Sequence, residues 1–113
     1  MELSKSDKKA ARIIIEKGLQ QEMANGLAKF EKLLTNWKIN KPDNRETYHA
    51  LYKKVKDFDK NIAWRYDDLR PRFYLPVIAG QLYEGLISQN DLNELSDESQ
   101  HTIQRLISLQ DKT

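Results

Sequence analysis

Residues 6–38 read SDKKAARIIIEKGLQQEMANGLAKFEKLLTNWK, a stretch without proline in which Ile15, Leu19, Met23, Leu27, Phe30, Leu34 and Trp37 recur at steps of three or four. That step places side chains on one face of an α-helix. The spacing therefore predicts a single long helix over residues 6–38. Gly18 and Gly26 sit inside it, and each costs about 1 kcal/mol relative to alanine in a helix interior. The apolar stripe stays in phase across both glycines. This favours one unbroken helix, in which the glycines either admit a close neighbour or are tolerated at that cost, over a turn at Asn25-Gly26.

The segment Lys38–Asn44 carries a proline and reads as a turn, with Asp43 placed to cap the next helix and Glu46 three residues on. A second helix over about 44–68 follows, with Tyr48, Leu51, Tyr52, Val55, Phe58, Ile62 and Tyr66 on one face. Pro71 and Pro76 break the following stretch, and a third helix is expected to start near Pro76, whose fixed φ suits a first helical position. It directs Ile78, Ala79, Leu82 and Leu86 inward and closes at Gly85. Ser88 with Asp91 opens a short helical turn over 89–95, and Ser96 caps a last helix whose inner face is Ile103, Leu106, Ile107 and Gln110. No segment alternates with period two. The expected fold is all-α: one domain over residues 1–113, with four main helices and one short one, and a helical hairpin region at about 76–110.

At 113 residues the chain is long enough to bury a core without staples. It has no cysteine, which removes disulfides, thiolate metal sites and cysteine nucleophiles. Residues 1–9 are polar, unlike a secretory signal, and no apolar run approaches a bilayer span. A cytoplasmic location with no membrane partner is the expectation. The net charge of +2 hides an asymmetry: residues 1–41 carry nine Lys/Arg against five Asp/Glu, whereas residues 84–113 carry two against six.

Several patterns resemble chemistry. Glu46-Thr-Tyr-His49 and Glu98-Ser-Gln-His101 repeat the Glu-x-x-His spacing of di-metal bundles. Both point away from the apolar faces of their helices, and both glutamates sit in first turns where capping explains them. The stretch around Gly85 has the rhythm of a calcium loop, but Gly80 and Leu82 stand where ligands belong. Ser96–Leu109 could serve as a DNA-recognition helix, yet it lies in the acidic third of the chain. Neither a metal nor a cofactor is expected, and no nucleophile or glycine-rich phosphate loop indicates an enzyme.

Two features point to association instead. Residues 57–74 interleave four Asp and three Arg with five aromatics. Trp64 projects opposite the apolar face, whereas Asp59 falls near that face and calls for an arginine partner. Trp64, Arg65, Arg70 and Arg72 are the candidate partner-binding residues, of types enriched at binding hot spots. The first helix also has a second, weaker apolar side at Ala10, Ile13, Ile14 and Ala28, the candidate self-association surface of a two-fold homodimer. The expected function is a non-enzymatic helical protein–protein interaction module or regulatory adaptor that self-associates. The alternative is a nucleic-acid-associated regulator using Lys5, Lys8, Lys9 and Arg12. A metal-binding bundle built on the two Glu-x-x-His motifs is the third reading.

Overall fold

The computed structural model describes residues 2–111, and among them the fold is all-α, without a strand. Helix α1 runs over Lys5–Asn40, α2 over Asn44–Tyr66, α3 over Tyr74–Tyr83 and α4 over Asp97–Asp111. Short 3-10 turns occupy Pro71–Phe73 and Gln89–Leu92. The long first helix is continuous across both glycines, and each has its own reason. A Cβ at Gly26 would lie 2.5 Å from the Phe58 ring, and one at Gly18 would overlap the Gln81 carboxamide. At each glycine a side chain of another helix lies against the backbone of α1.

Helix ends follow local chemistry. Ser4 caps α1 by accepting from the Asp7 N–H at 3.0 Å. At the other end Lys41 takes a left-handed φ of 47° and its N–H bonds back to the Trp37 carbonyl at 3.0 Å, so the chain leaves the helix just before Pro42. Asp43 accepts from the N–H groups of Arg45 and Glu46 and starts α2. Helix α3 begins two residues earlier than Pro76, because the turn at Pro71–Phe73 runs directly into it. Pro76 still lies in the first turn, where its missing N–H has no intrahelical partner to lose. Gly85, at φ 76°, closes α3 in a Schellman motif: Leu86 N–H reaches the Gln81 carbonyl and Gly85 N–H that of Leu82.

The chain divides into two compact units that share α1: residues 1–22 with 68–113, and residues 23–67. In the first, Ala11, Ile14 and Ile15 of α1 are buried, as are Tyr74, Leu75, Ile78 and Ala79 of α3. Leu86, Ile87, Leu92 and Leu95 of the connector and Ile103 of α4 complete this core, in which α3 packs on α4. Two polar groups tie it. The Gln81 amide donates to the Ile15 carbonyl at 3.0 Å, through the space a side chain at Gly18 would fill. Asp7 accepts from the Ser96 N–H at 2.9 Å and from the Ser96 and Ser99 hydroxyls at 2.6 Å each. One carboxylate from α1 thereby completes the N-terminal cap of α4. Burial pushes the Asp7 carboxyl up, but the three hydrogen bonds outweigh it and hold the group below the ordinary carboxylate range.

The buried side of α1 in this unit is Asp7, Ala11, Ile14, Ile15 and Gly18. Ile14 was expected on the self-association side of the helix. At 4% exposure it belongs instead to the core of its own chain, and a second molecule cannot reach it.

Candidate functional site

The second unit is an αα-hairpin. The end of α1 and the whole of α2 are joined by Lys41, Pro42 and Asp43. They run antiparallel. Near the turn the Trp37 Nε1–H donates to Asn44 Oδ1 at 2.8 Å, and further along Phe58 lies against Gly26 and edge-on to Phe30, with ring centres 5.8 Å apart. Among the described residues of this unit, only Gly26 and Thr47 are buried. Two helices meet along one line, and the rest of each circumference stays open.

The open part is not polar. Met23, Leu27 and Leu34 of α1 and Tyr48, Tyr52 and Val55 of α2 are 38–68% exposed. At about 100° per residue, the exposed set of α1 lies some 80° onward from its contact with α2, and that of α2 some 90° onward from its contact with α1. For antiparallel right-handed helices, equal rotations in chain order turn both sets to the same side. The six side chains therefore form one continuous apolar face. Tyr48, Tyr52 and Val55 were expected to point into a core, as were the stripe residues of α1. Their spacing is as read from the sequence, but no element of this unit covers the face they form. Asp59 shares the same side and is exposed, so it needs no buried arginine partner. Both signs of charge border the face, with Glu31 and Lys38 along α1 and Arg45 and Lys56 along α2; the Lys56 ammonium sits 6.0 Å from the Tyr52 ring centre.

The candidate partner-binding residues are distributed over both units. Trp64 is 87% exposed on the side of α2 opposite the apolar face, and Arg65 on the same helix is half-buried. Arg70 and Arg72 belong to the first unit, where with Lys8 they line a depression of about 280 Å³. Of the candidate self-association residues, Ile13 and Ala28 are exposed, Ala10 is half-buried and Ile14 is buried. Lys5, Lys9 and Arg12 are exposed on one side of the first turns of α1, and Lys8 is half-buried where that side meets the buried one.

His49 and His101 are both exposed, and among the described residues no three His, Cys, Asp or Glu side chains gather as metal ligands. The segment that resembled a calcium loop is a connector, with Gly85 closing α3, Ile87 buried and Asp91 accepting from the Ser88 N–H at 2.8 Å. The Lys17 ammonium donates to Asp91 at 2.5 Å. That contact, then the Ser88 N–H, holds the Asp91 carboxyl below its ordinary value. Among the described residues, no helix is long and apolar enough to cross a membrane.

No protein-family model, curated protein or solved structure matches the chain.

Proposed function

We propose that this chain is a non-enzymatic, self-associating helical interaction module, in which the open face of the 23–66 hairpin docks on the same face of a second copy. The apolar face of Met23, Leu27, Leu34, Tyr48, Tyr52 and Val55 carries the reading. A two-helix hairpin cannot bury its apolar stripe alone, whereas two hairpins face to face make a four-helix arrangement with an interior. At about 150–200 Å² for a fully exposed large side chain, the six residues offer roughly 470–620 Å² per chain. Two copies would remove roughly 950–1,250 Å² from water, around the 1,000 Å² that a specific interface needs. Rim charges of both signs keep the face from repelling its own copy. Trp64 stays outside such a pairing, free for a different protein, and this is what the adaptor role requires.

Light scattering coupled to size exclusion tests the reading. The expected mass is twice that of the 13.3 kDa chain. Leu27→Asp combined with Tyr52→Asp should return a monomer with unchanged helical circular dichroism, and Trp64→Ala should leave the dimer intact. A wild-type monomer at concentrations up to about 1 mM, equivalent to less than about 4 kcal/mol of association, sinks the proposal. So does a dimer indifferent to the hairpin substitutions but broken by Ile13→Asp with Ala28→Asp, which would put the contact on the other side of α1.

A further inference from the structure

The first unit carries nine Lys/Arg against eleven Asp/Glu, yet three of its cations converge on one depression. Lys8, Arg70 and Arg72 line a space of about 280 Å³ together with Glu2, Leu3 and Pro71. Among the described residues, no carboxylate lies within ion-pair distance of any of the three, so the depression holds a formal surplus of two positive charges.

Local structure accounts for their positions. Arg70 is extended (φ −102°, ψ 154°), as the residue before a proline must be, and Pro71 opens the 3-10 turn that carries Arg72. The Arg72 guanidinium rests 4.7 Å from the centre of the Phe73 ring, which limits its freedom. Lys8 comes from the first turn of α1, half-buried on the flank of the side that carries Ala11 and Ile15, and the positive end of the helix macrodipole adds to the field there. Concentrating like charge in a concavity raises its potential for anions above that of scattered surface lysines.

We infer that this depression binds a doubly charged phosphoryl group, with Arg70 and Arg72 as forked donors and Lys8 as a point charge. A phosphomonoester carries close to two negative charges near neutral pH and three acceptor oxygens, matching the surplus charge and the three cationic side chains. A carboxylate offers half that charge. The space is larger than a phosphoryl group needs, and Leu3 with Pro71 gives an apolar wall to whatever carries the group. The site is independent of the hairpin face, and it stands or falls separately from self-association.

The test is a titration of the isotope-labelled full chain with sodium phosphate at constant ionic strength, read by nuclear magnetic resonance at the amides of Lys8, Arg70 and Arg72 and at the arginine Nε–H signals. Saturable shifts confined to the depression, absent in a chloride control, are expected. Arg70→Gln with Arg72→Gln should weaken binding at least about tenfold, because the charge-assisted bonds are lost. Both arginines are exposed, and unchanged signals elsewhere would show the fold intact. O-phosphoserine as a second probe separates the sources: tighter binding than inorganic phosphate supports a phosphoryl group on an organic carrier, and equal binding supports free phosphate. Shifts that never saturate, that chloride reproduces, or that spread evenly over Lys5, Lys9 and Arg12 overturn the site, because diffuse screening or a phosphate backbone along α1 would produce them.

Discussion

The two units use one helix in opposite ways. From residue 5 to 22, α1 is enclosed: Ala11, Ile14 and Ile15 enter a core with α3, the connector and Ile103, while Asp7 reaches across to cap α4. From residue 23 to 40 it has a single partner, and Met23, Leu27 and Leu34 lie open. The apolar stripe of Ile15, Leu19, Met23, Leu27, Phe30, Leu34 and Trp37 runs through both halves. Amphipathic periodicity thus specifies which residues share a side, and only the number of elements around a helix decides whether that side is covered.

Truncation of apolar side chains should separate the units most sharply. Ile78 is fully buried, and Ile78→Ala is expected to cost about 2–5 kcal/mol of unfolding free energy, since it removes transfer energy and leaves a cavity. Leu27→Ala should cost the monomer less than about 0.5 kcal/mol, because a 65% exposed side chain has little burial to lose. Its effect should appear as weaker dimerisation. Urea unfolding at low protein concentration measures both, and a comparable loss from Leu27→Ala would mean that the hairpin face is covered within the monomer.

The glycines sharpen the same contrast. Gly18→Ala forces a methyl group into the fully buried Gln81 carboxamide, which has little room to move, and a loss of about 1–3 kcal/mol is expected. Gly26→Ala meets the far edge of the Phe58 ring, which is half-exposed and can swing toward solvent. There the gain in helix propensity, about 1 kcal/mol, should offset the displaced ring and leave thermal stability nearly unchanged. Equal losses at both glycines would show that the hairpin contact is as tight as the core.

What could be read from the sequence follows from how far each determinant reaches along the chain. The unbroken first helix, the cap at Asp43, the Gly85 closure, the Ser88–Asp91 turn and the start of α4 at Ser96 each depend on residues within a few positions of one another, and local rules suffice for them. Asp7 shows the opposite case. In sequence it is an acidic residue in a first turn, with an ordinary dipole explanation, whereas in the fold it bonds partners 89 and 92 residues away. Ile14 and Tyr52 fail symmetrically. One lies on the weaker apolar side of its helix and is buried; the other lies on the stronger side of its helix and is open. Neither outcome follows from periodicity, because both depend on which segments later pack alongside. Lys8 meets Arg70 and Arg72 for the same long-range reason, and the sequence assigned them to two separate candidate surfaces.

Asp7 also gives the enclosed unit a pH dependence. Its carboxyl is held below the ordinary value in the folded chain, so its contribution to stability is complete above the unfolded carboxylate pKa of about 3.9 and is lost as pH falls through the folded value. Asp7→Asn keeps the shape but weakens charge-assisted bonds to two hydroxyls and an N–H, and should cost about 1–2 kcal/mol at pH 7. The gap between wild type and variant should stay constant from pH 7 to about 5 and narrow below about 4. A gap that persists unchanged to pH 2 would show that the bonds, and not the charge, hold the α4 cap.

The smallest effect is expected at a solvent-exposed ion pair of the first unit. Lys17 and Asp91 meet at 2.5 Å, but the lysine side chain is 61% exposed. Solvent screening and the entropy of holding a long side chain reduce such pairs to a few tenths of a kcal/mol. Lys17→Met should therefore change stability by less than about 0.5 kcal/mol, and raising salt to 1 M should erase the difference, since screening then acts over about 3 Å. Asp91 keeps its bonds to Ser88 without the lysine, so the turn at 89–92 should survive the substitution. A loss above 1.5 kcal/mol would require α1 to anchor the connector through this pair, and the boundary of the enclosed unit would then rest on charge as well as on its apolar core.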